Sequence, residues 1–159
     1  MTVIVRPYRL EEFERACEFR GLADEPERKE RFFKRFQNLG AWDDHYLQLA
    51  IEADGVLVGD FQLRKCDSTR PDGALEMGIE LAEEVRGQGI GTQALIAGAR
   101  YAFENGAHRV EGSTDENNTA MRKAFEKAGW KFEGVLRALF IEDGVPHDYY
   151  SYAITKFDK

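Results

Sequence analysis

Residues 86–91, RGQGIG, are of the types that hold an anion. Three glycines within five residues (Gly87, Gly89 and Gly91) allow left-handed backbone and close approach by a ligand. An Arg-x-x-Gly-x-Gly turn between a strand and a helix also presents successive backbone N–H groups to solvent. The helix predicted next, from about Ile90 to Asn105, adds the positive end of its dipole and stops at Asn105-Gly106. Immediately upstream, ALEMGIEL (Ala74 to Leu81) alternates as a strand. Leu75, Met77, Ile79 and Leu81 face one way, while Glu76, Gly78 and Glu80 face the other. Two carboxylates therefore flank a glycine on the strand that feeds the anion cradle.

Other reactive residue types do not assemble into a second site. Cys17 and Cys66 have no metal-type spacing and are expected to remain reduced thiols. His45, His108 and His147 are dispersed, with no acid or cysteine at ligand spacing, so no metal site is predicted.

The elements that must position the cradle follow from periodicity. Thr2 to Arg6 is predicted as a first strand, ended by Pro7. Leu10 to Arg20 and Glu27 to Leu39 are predicted helices, with Leu10, Phe13 and Cys17, then Phe32, Phe33, Phe36 and Leu39, as their apolar faces. Arg28, Lys29, Arg31, Lys34 and Arg35 alternate with the phenylalanines of the second helix, as on the wet side of an amphipathic helix. Strands over Tyr46 to Ala53 and Val56 to Leu63 meet at Asp54-Gly55, a hairpin signal. After the cradle helix come a strand at Arg109 to Thr114 and a helix at Thr119 to Ala128, opened by Asn117 or Asn118 and closed by Gly129. The last two strands, near Phe132 to Ile141 and His147 to Thr155, turn at Asp143-Gly144. The class is mixed α/β: a mainly antiparallel sheet of six to seven strands flanked by helices.

From about Val56 onward the chain resembles the GNAT superfamily of acyl-CoA-dependent N-acyltransferases, in particular its ribosomal-protein N-terminal acetyltransferase branch. The matching segments are LEMGIEL, RGQGIG, TQALIAGARYAFENGA, HRVEGST, DENNTAMRKAFEKAGW and the closing FEGVLRALFIEDGVPHDYYSYAI. The resemblance implies a central strand pair that splays apart to admit the pantetheine arm of coenzyme A. It assigns Arg86, Gly87, Gln88, Gly89, Ile90 and Gly91 to the pyrophosphate, and places Glu80, Leu81, Thr92 and Asn118 beside the cofactor. It also implies that Gly78 leaves room for the acyl group or the attacking amine, with Glu76 as the catalytic base. For both glutamates the alternative is a solvated carboxylate or one paired with arginine.

One departure from the family concerns the proton donor for the leaving thiolate. Members often carry a serine three residues beyond the asparagine matched by Asn118, or a tyrosine seven beyond it; here Met121 and Phe125 stand there and, with Ala124 and Ala128, form an apolar stripe. Tyr149, Tyr150 and Tyr152 are substitute donors, with Tyr149 turned away from the other two. His147-Asp148 is expected to be structural. Trp42 lies in the loop that shapes the acceptor pocket in the family, where Asp43 and Asp44 could attract an ammonium group.

At 159 residues, 43% hydrophobic and 32% charged, the chain suits a single domain over 1–159. No apolar run reaches membrane-spanning length and no signal peptide is visible, so a cytoplasmic protein without membrane contact is expected. The net charge of −7 argues against a nucleic-acid surface and suits a cationic acceptor. The expectation is thus transfer of an acetyl group from acetyl-CoA, as cosubstrate, to a primary amine in a ternary complex, with no metal and with a homodimer left open. Another acyl donor such as succinyl-CoA, or a non-catalytic CoA-binding module, are the alternatives.

Overall fold

The computed structural model describes residues 1–159. Its seven strands form one sheet in the order β1-β2-β3-β4-β5-β7-β6. They are β1 (Val3–Pro7), β2 (Tyr46–Ala53), β3 (Val56–Lys65), β4 (Ala74–Leu81), β5 (Arg109–Asp115), β6 (Lys131–Glu142) and β7 (Val145–Thr155). Helices α1 (Phe13–Phe19) and α2 (Pro26–Phe36) follow β1, α3 (Ile90–Glu104) links β4 to β5, and α4 (Thr119–Lys127) links β5 to β6.

Two tight turns set much of this register. Asp54 and Gly55 have φ of 48° and 82°, and Asp143 and Gly144 have 50° and 78°. Two consecutive positive φ values belong to the type I′ turn, whose twist matches that of paired strands. The first joins β2 to β3 and the second joins β6 to β7. The β6–β7 hairpin is longer than alternation indicated and forms the sheet's outer edge. Its register shifts between Leu136 and Phe140, where Ala138 has φ 51° and donates its N–H to Asp148 Oδ1 at 2.8 Å.

The sheet buries its two faces against different helices. The main core joins Leu47, Leu49 and Ile51 of β2, Phe61 and Leu63 of β3 and Met77 of β4 to α3 and Phe125 of α4. On the opposite face, Tyr8 and Ala50 pack against Ala16, Cys17, Leu22, Phe32 and Phe36 from α1, α2 and the link between them. The first predicted helix starts as a 3-10 turn at Leu10–Glu12, and α2 ends at Phe36, so Leu10 and Leu39 remain exposed.

Helix α3 approaches β3 closely because position 98 has no side chain. A Cβ on Gly98 would stand 2.2 Å from Cζ of Phe61, which is fully buried. Gly98→Ala should therefore separate helix from sheet and destabilise the protein by about 1–3 kcal/mol, read as a lower urea midpoint with unchanged slope.

Candidate functional site

Strand β4 pairs antiparallel with β3 without interruption from Leu75 to Leu81, so the alternation read from sequence is preserved. Its parallel pairing with β5 covers only Ala74, Leu75 and Glu76, against Arg109, Val110 and Glu111. From Met77 onward the two strands part. The backbone of β4 on that side is left without a neighbour, next to a cavity of about 560 Å³.

That cavity gathers most of the predicted cradle. Glu80, Leu81, Arg86, Gly87, Gly89, Gly91, Thr92 and Asn118 line it. Gly87 and Gly89 have φ of 76° and 81°, conformations costly for residues with a Cβ. Gly89 is the N-cap of α3, and the first intrahelical bond runs from Gln93 N–H to Gly89 O, so the N–H groups of Ile90, Gly91 and Thr92 are free of helical partners. Arg86 folds back, donating Nε and Nη2 to the Leu81 carbonyl at 3.2 and 3.1 Å, which fixes the turn to the end of β4. Gln88 braces the same turn by donating Nε2 to the Glu84 carbonyl at 3.1 Å. Gln88 and Ile90 do not line the cavity, and the Ile90 side chain is buried in the core.

The far wall comes from α4, which the cradle motif does not reveal. Asn118 caps this helix by accepting the Met121 N–H at 3.1 Å. Lys123 and Lys127, one turn apart, line the cavity with Ala120, Met121 and Ala124. Their spacing of four was the available sequence signal. Phe125 is fully buried and stacks on Tyr152, as the apolar stripe predicted, but Met121 and Ala124 are only half-buried and face the cavity. In a chain of net charge −7 this cavity has three cationic side chains, Arg86, Lys123 and Lys127, and one carboxylate, Glu80. Together with the N-terminus of α3, that balance favours a polyanionic ligand.

The two β4 glutamates have different surroundings. Glu76 does not line the cavity: its Oε1 accepts Nε and Nη2 of Arg64 at 3.1 and 2.6 Å. Arg64 also fills the space over Gly78, where a Cβ would stand 2.8 Å from Nη1. The room expected beside Gly78 is thus taken by a guanidinium. Glu80 does open into the cavity, and it stands opposite Asp60 on β3. Packing around Glu80 and then the Asp60 carboxylate raise its pKa, against the smaller pull of Arg20 and Arg86.

Asp60 is itself the centre of a buried network. Its carboxylate accepts Tyr8 Oη at 2.7 Å, Gln48 Nε2 at 2.7 Å, Gln62 Nε2 at 3.1 Å and Arg20 Nη1 at 3.2 Å. The remaining expected residues are engaged elsewhere. Asp43 Oδ1 accepts the backbone N–H groups of His45 and Tyr46 at 3.0 and 2.7 Å, while Trp42 packs against the main core beneath Lys65. His147 pairs with Asp115 at 2.8 Å. None of Tyr149, Tyr150 and Tyr152 reaches the cavity. Burial raises the pKa of both Cys17 and Cys66 thiols, which disfavours the nucleophilic thiolate.

The acetyltransferase (GNAT) domain family matches residues 3–131. The chain belongs to that family. By this membership it is an acyl-CoA-dependent N-acyltransferase. Among curated proteins none matches the sequence significantly. Among solved structures it is similar to Mycobacterium smegmatis RimJ in complex with CoA-disulfide, with 24% identity, 97% of this chain and 82% of that chain covered, and a TM-score of 0.74. It is also similar to mutant forms of the spermidine/spermine N-acetyltransferase SpeG from Vibrio cholerae (16% identity, 98% and 95% covered, TM-score 0.78). A third similar structure is yncA from Salmonella typhimurium with its cofactor acetyl-CoA (18% identity, 100% and 96% covered, TM-score 0.75). At these identities the likeness concerns the fold, including its seven-stranded mixed sheet. No helix of the chain is long and apolar enough to cross a membrane.

Asp60→Ala should strand Arg20 beside an uncompensated void and remove the shared acceptor of three other donors. A loss of about 3–5 kcal/mol of stability is expected by urea denaturation.

Proposed function

We propose that the chain, as a single domain over 1–159, transfers an acetyl group from acetyl-CoA to a primary amine by direct attack in a ternary complex. The observation that carries this reading is the cavity at the parting of β4 and β5. Left-handed Gly87 and Gly89, the free N–H groups at the start of α3 and the cations Arg86, Lys123 and Lys127 converge there. Such a cavity suits the pyrophosphate of coenzyme A. The unpaired side of β4 beyond Glu76 suits a pantetheine arm laid along it as an extra strand. The complexes of RimJ with CoA-disulfide and of yncA with acetyl-CoA support the same ligand class.

The acceptor amine is protonated at neutral pH and must lose a proton before its lone pair attacks the thioester carbonyl carbon. Glu80 takes this role in preference to Glu76. It borders the cavity with a raised pKa, whereas Glu76 is committed to Arg64. Backbone N–H groups on the unpaired side of β4 stabilise the oxyanion as the carbonyl becomes tetrahedral. Collapse breaks the C–S bond. With Phe125 buried and no tyrosine at the cavity, the departing thiolate takes its proton from water or from the ammonium formed by the attack. A thiol pKa of roughly 8.5 makes that adequate near neutrality.

Gly89→Asp places a negative side chain at a left-handed position of the cradle. Acetyl-CoA affinity should fall at least tenfold, about 1.4 kcal/mol, and unchanged affinity by calorimetry would remove this reading.

Glu80→Gln should lower kcat about a hundredfold or more and abolish the acidic limb of the rate profile, while Glu76→Gln keeps that limb. A raised carboxyl pKa makes the ionised form unfavourable in the folded chain, so the cost is present at neutral pH and vanishes below the unfolded pKa of about 4.3. Glu80→Gln should therefore melt at or above the wild-type temperature at pH 7, with the difference gone in acid. Loss of activity accompanied by loss of stability would instead indicate a structural role.

A further inference from the structure

A second cavity, of about 290 Å³, lies at the α1–α2 layer on the face of the sheet opposite α3. Arg20, Arg28, Arg31 and Arg35 line it together with Leu22 and Phe32. Few carboxylates pair directly with these four guanidinium groups, and Asp43 and Asp60 act on Arg35 only through their charge. Arg28 pairs with Glu25 at 2.8 Å, and Arg20 reaches Asp60 at 3.2 Å, but Asp60 already accepts Tyr8, Gln48 and Gln62. Arg31 and Arg35 have no ion-pair partner.

Two details separate this arrangement from a solvated helix face. The Nε atoms of Arg20 and Arg35 are fully buried and have no hydrogen-bond partner. Both guanidinium planes are also held in place by aromatic rings, Arg20 over Phe32 at 4.9 Å and Arg35 over Tyr46 at 4.6 Å. Held in place with no room to part, these like charges repel one another, a cost that an oxyanion in the cavity would relieve through charge-assisted bonds to their outer Nη groups. In agreement with this, burial and then the charge of Arg20 lower the pKa of Arg35. Arg28 and Arg31 are exposed at the rim, as is Lys34, while Lys29 pairs with Glu14, so Arg20 and Arg35 form the fixed floor of the cavity.

Side-chain contacts lead from this cavity to Glu80. Arg20 holds Asp60, and Asp60 is the register partner of Glu80. We propose that this arginine cavity binds an oxyanion, a carboxylate or phosphate-type group, borne by the amine acceptor. The proposal rests on the acyl-transfer reading above. Arg20 and Glu80 stand on either side of the buried Asp60, one hydrogen bond and one strand spacing of about 4.8 Å away from it, so an acceptor reaching both would pass over Asp60. That span is the scale of a small amino acid or of the first two residues of an acidic peptide. Polyamines, which carry no such group, are disfavoured.

Inorganic phosphate is the first probe, used on the chain without acetyl-CoA and against sodium chloride of equal ionic strength. It should raise the melting temperature of the wild type and of Gly89→Asp, whose cradle is blocked. The rise should shrink in Arg31→Gln and vanish in Arg31→Gln/Arg35→Gln, and equal rises in all four proteins would overturn the anion site. The second arm compares acceptors that differ only in the acid: glutamate with glutamine amide, and Asp-Ala with Asn-Ala. At least tenfold higher kcat/KM for the acid forms is expected, collapsing in Arg31→Gln. The better pair identifies the source as amino acid or peptide. Equal use of acid and amide, or a preference for spermidine, would remove the acceptor role while acyl transfer stands. Failure of acetyl-CoA to bind by calorimetry would sink the acyl-transfer reading and the acceptor role with it, leaving the phosphate arm to decide the anion site alone.

Discussion

Strand β4 bonds to β3 along its whole length and to β5 for only three residues. That unequal pairing is the constraint from which the rest of the site follows. If pairing with β5 continued, the β4 backbone groups would be satisfied within the sheet and no extended ligand could add to it. Because pairing stops at Glu76, the end of β4 carries its turn, and with it the N-terminus of α3, to the mouth of an open seam. Arg86 secures the arrangement by returning to the Leu81 carbonyl, so one residue both lines the cavity and ties the glycine turn to the strand.

The opposite face of the same strands has a different organisation. There β2, β3 and β4 present a polar band in which Gln48, Asp60 and Gln62 are buried, with Arg64 and Glu76 paired beyond them. Asp60 links three parts of the molecule: Tyr8 after β1, Arg20 after α1 and Gln48 on β2. The helical layer is thereby registered on the sheet beside β4 by charge-assisted bonds as well as by the Phe32 and Phe36 core. Displacement of α1 would be felt at Glu80 through Asp60, because the two carboxylates are neighbours across the β3–β4 pair.

The order of elements was legible in the sequence because local rules dominate it. Alternation placed β4, the Asp54-Gly55 and Asp143-Gly144 steps placed both hairpins, and the glycine turn placed the start of α3. Most of the cradle residues were legible for the same reason. Lys123 and Lys127 were not, because their relation to the turn depends on how α4 docks across the seam. Glu76 and Glu80 have the same alternation and composition, and only the cross-strand partner distinguishes them: Arg64 for one, Asp60 for the other. Likewise the five basic residues of α2 looked alike along the helix. The rings of Phe32 and Tyr46 and the position of Arg20 set Arg35 apart from Lys34.

The two type I′ hairpins join residues adjacent in sequence, so little chain entropy is lost in closing them. The β4–β5 contact instead spans the whole of α3 and gains only three residue pairs on closure. Of the two kinds of contact, the seam carries the larger loop-closure cost. Side chains carry what the backbone does not: Leu75 and Met77 of β4 share one buried core with Val110 of β5, Phe125 and Tyr152 across this seam. The chain carries, in effect, a parting line in its hydrogen-bond ladder that is bridged by side chains instead of backbone.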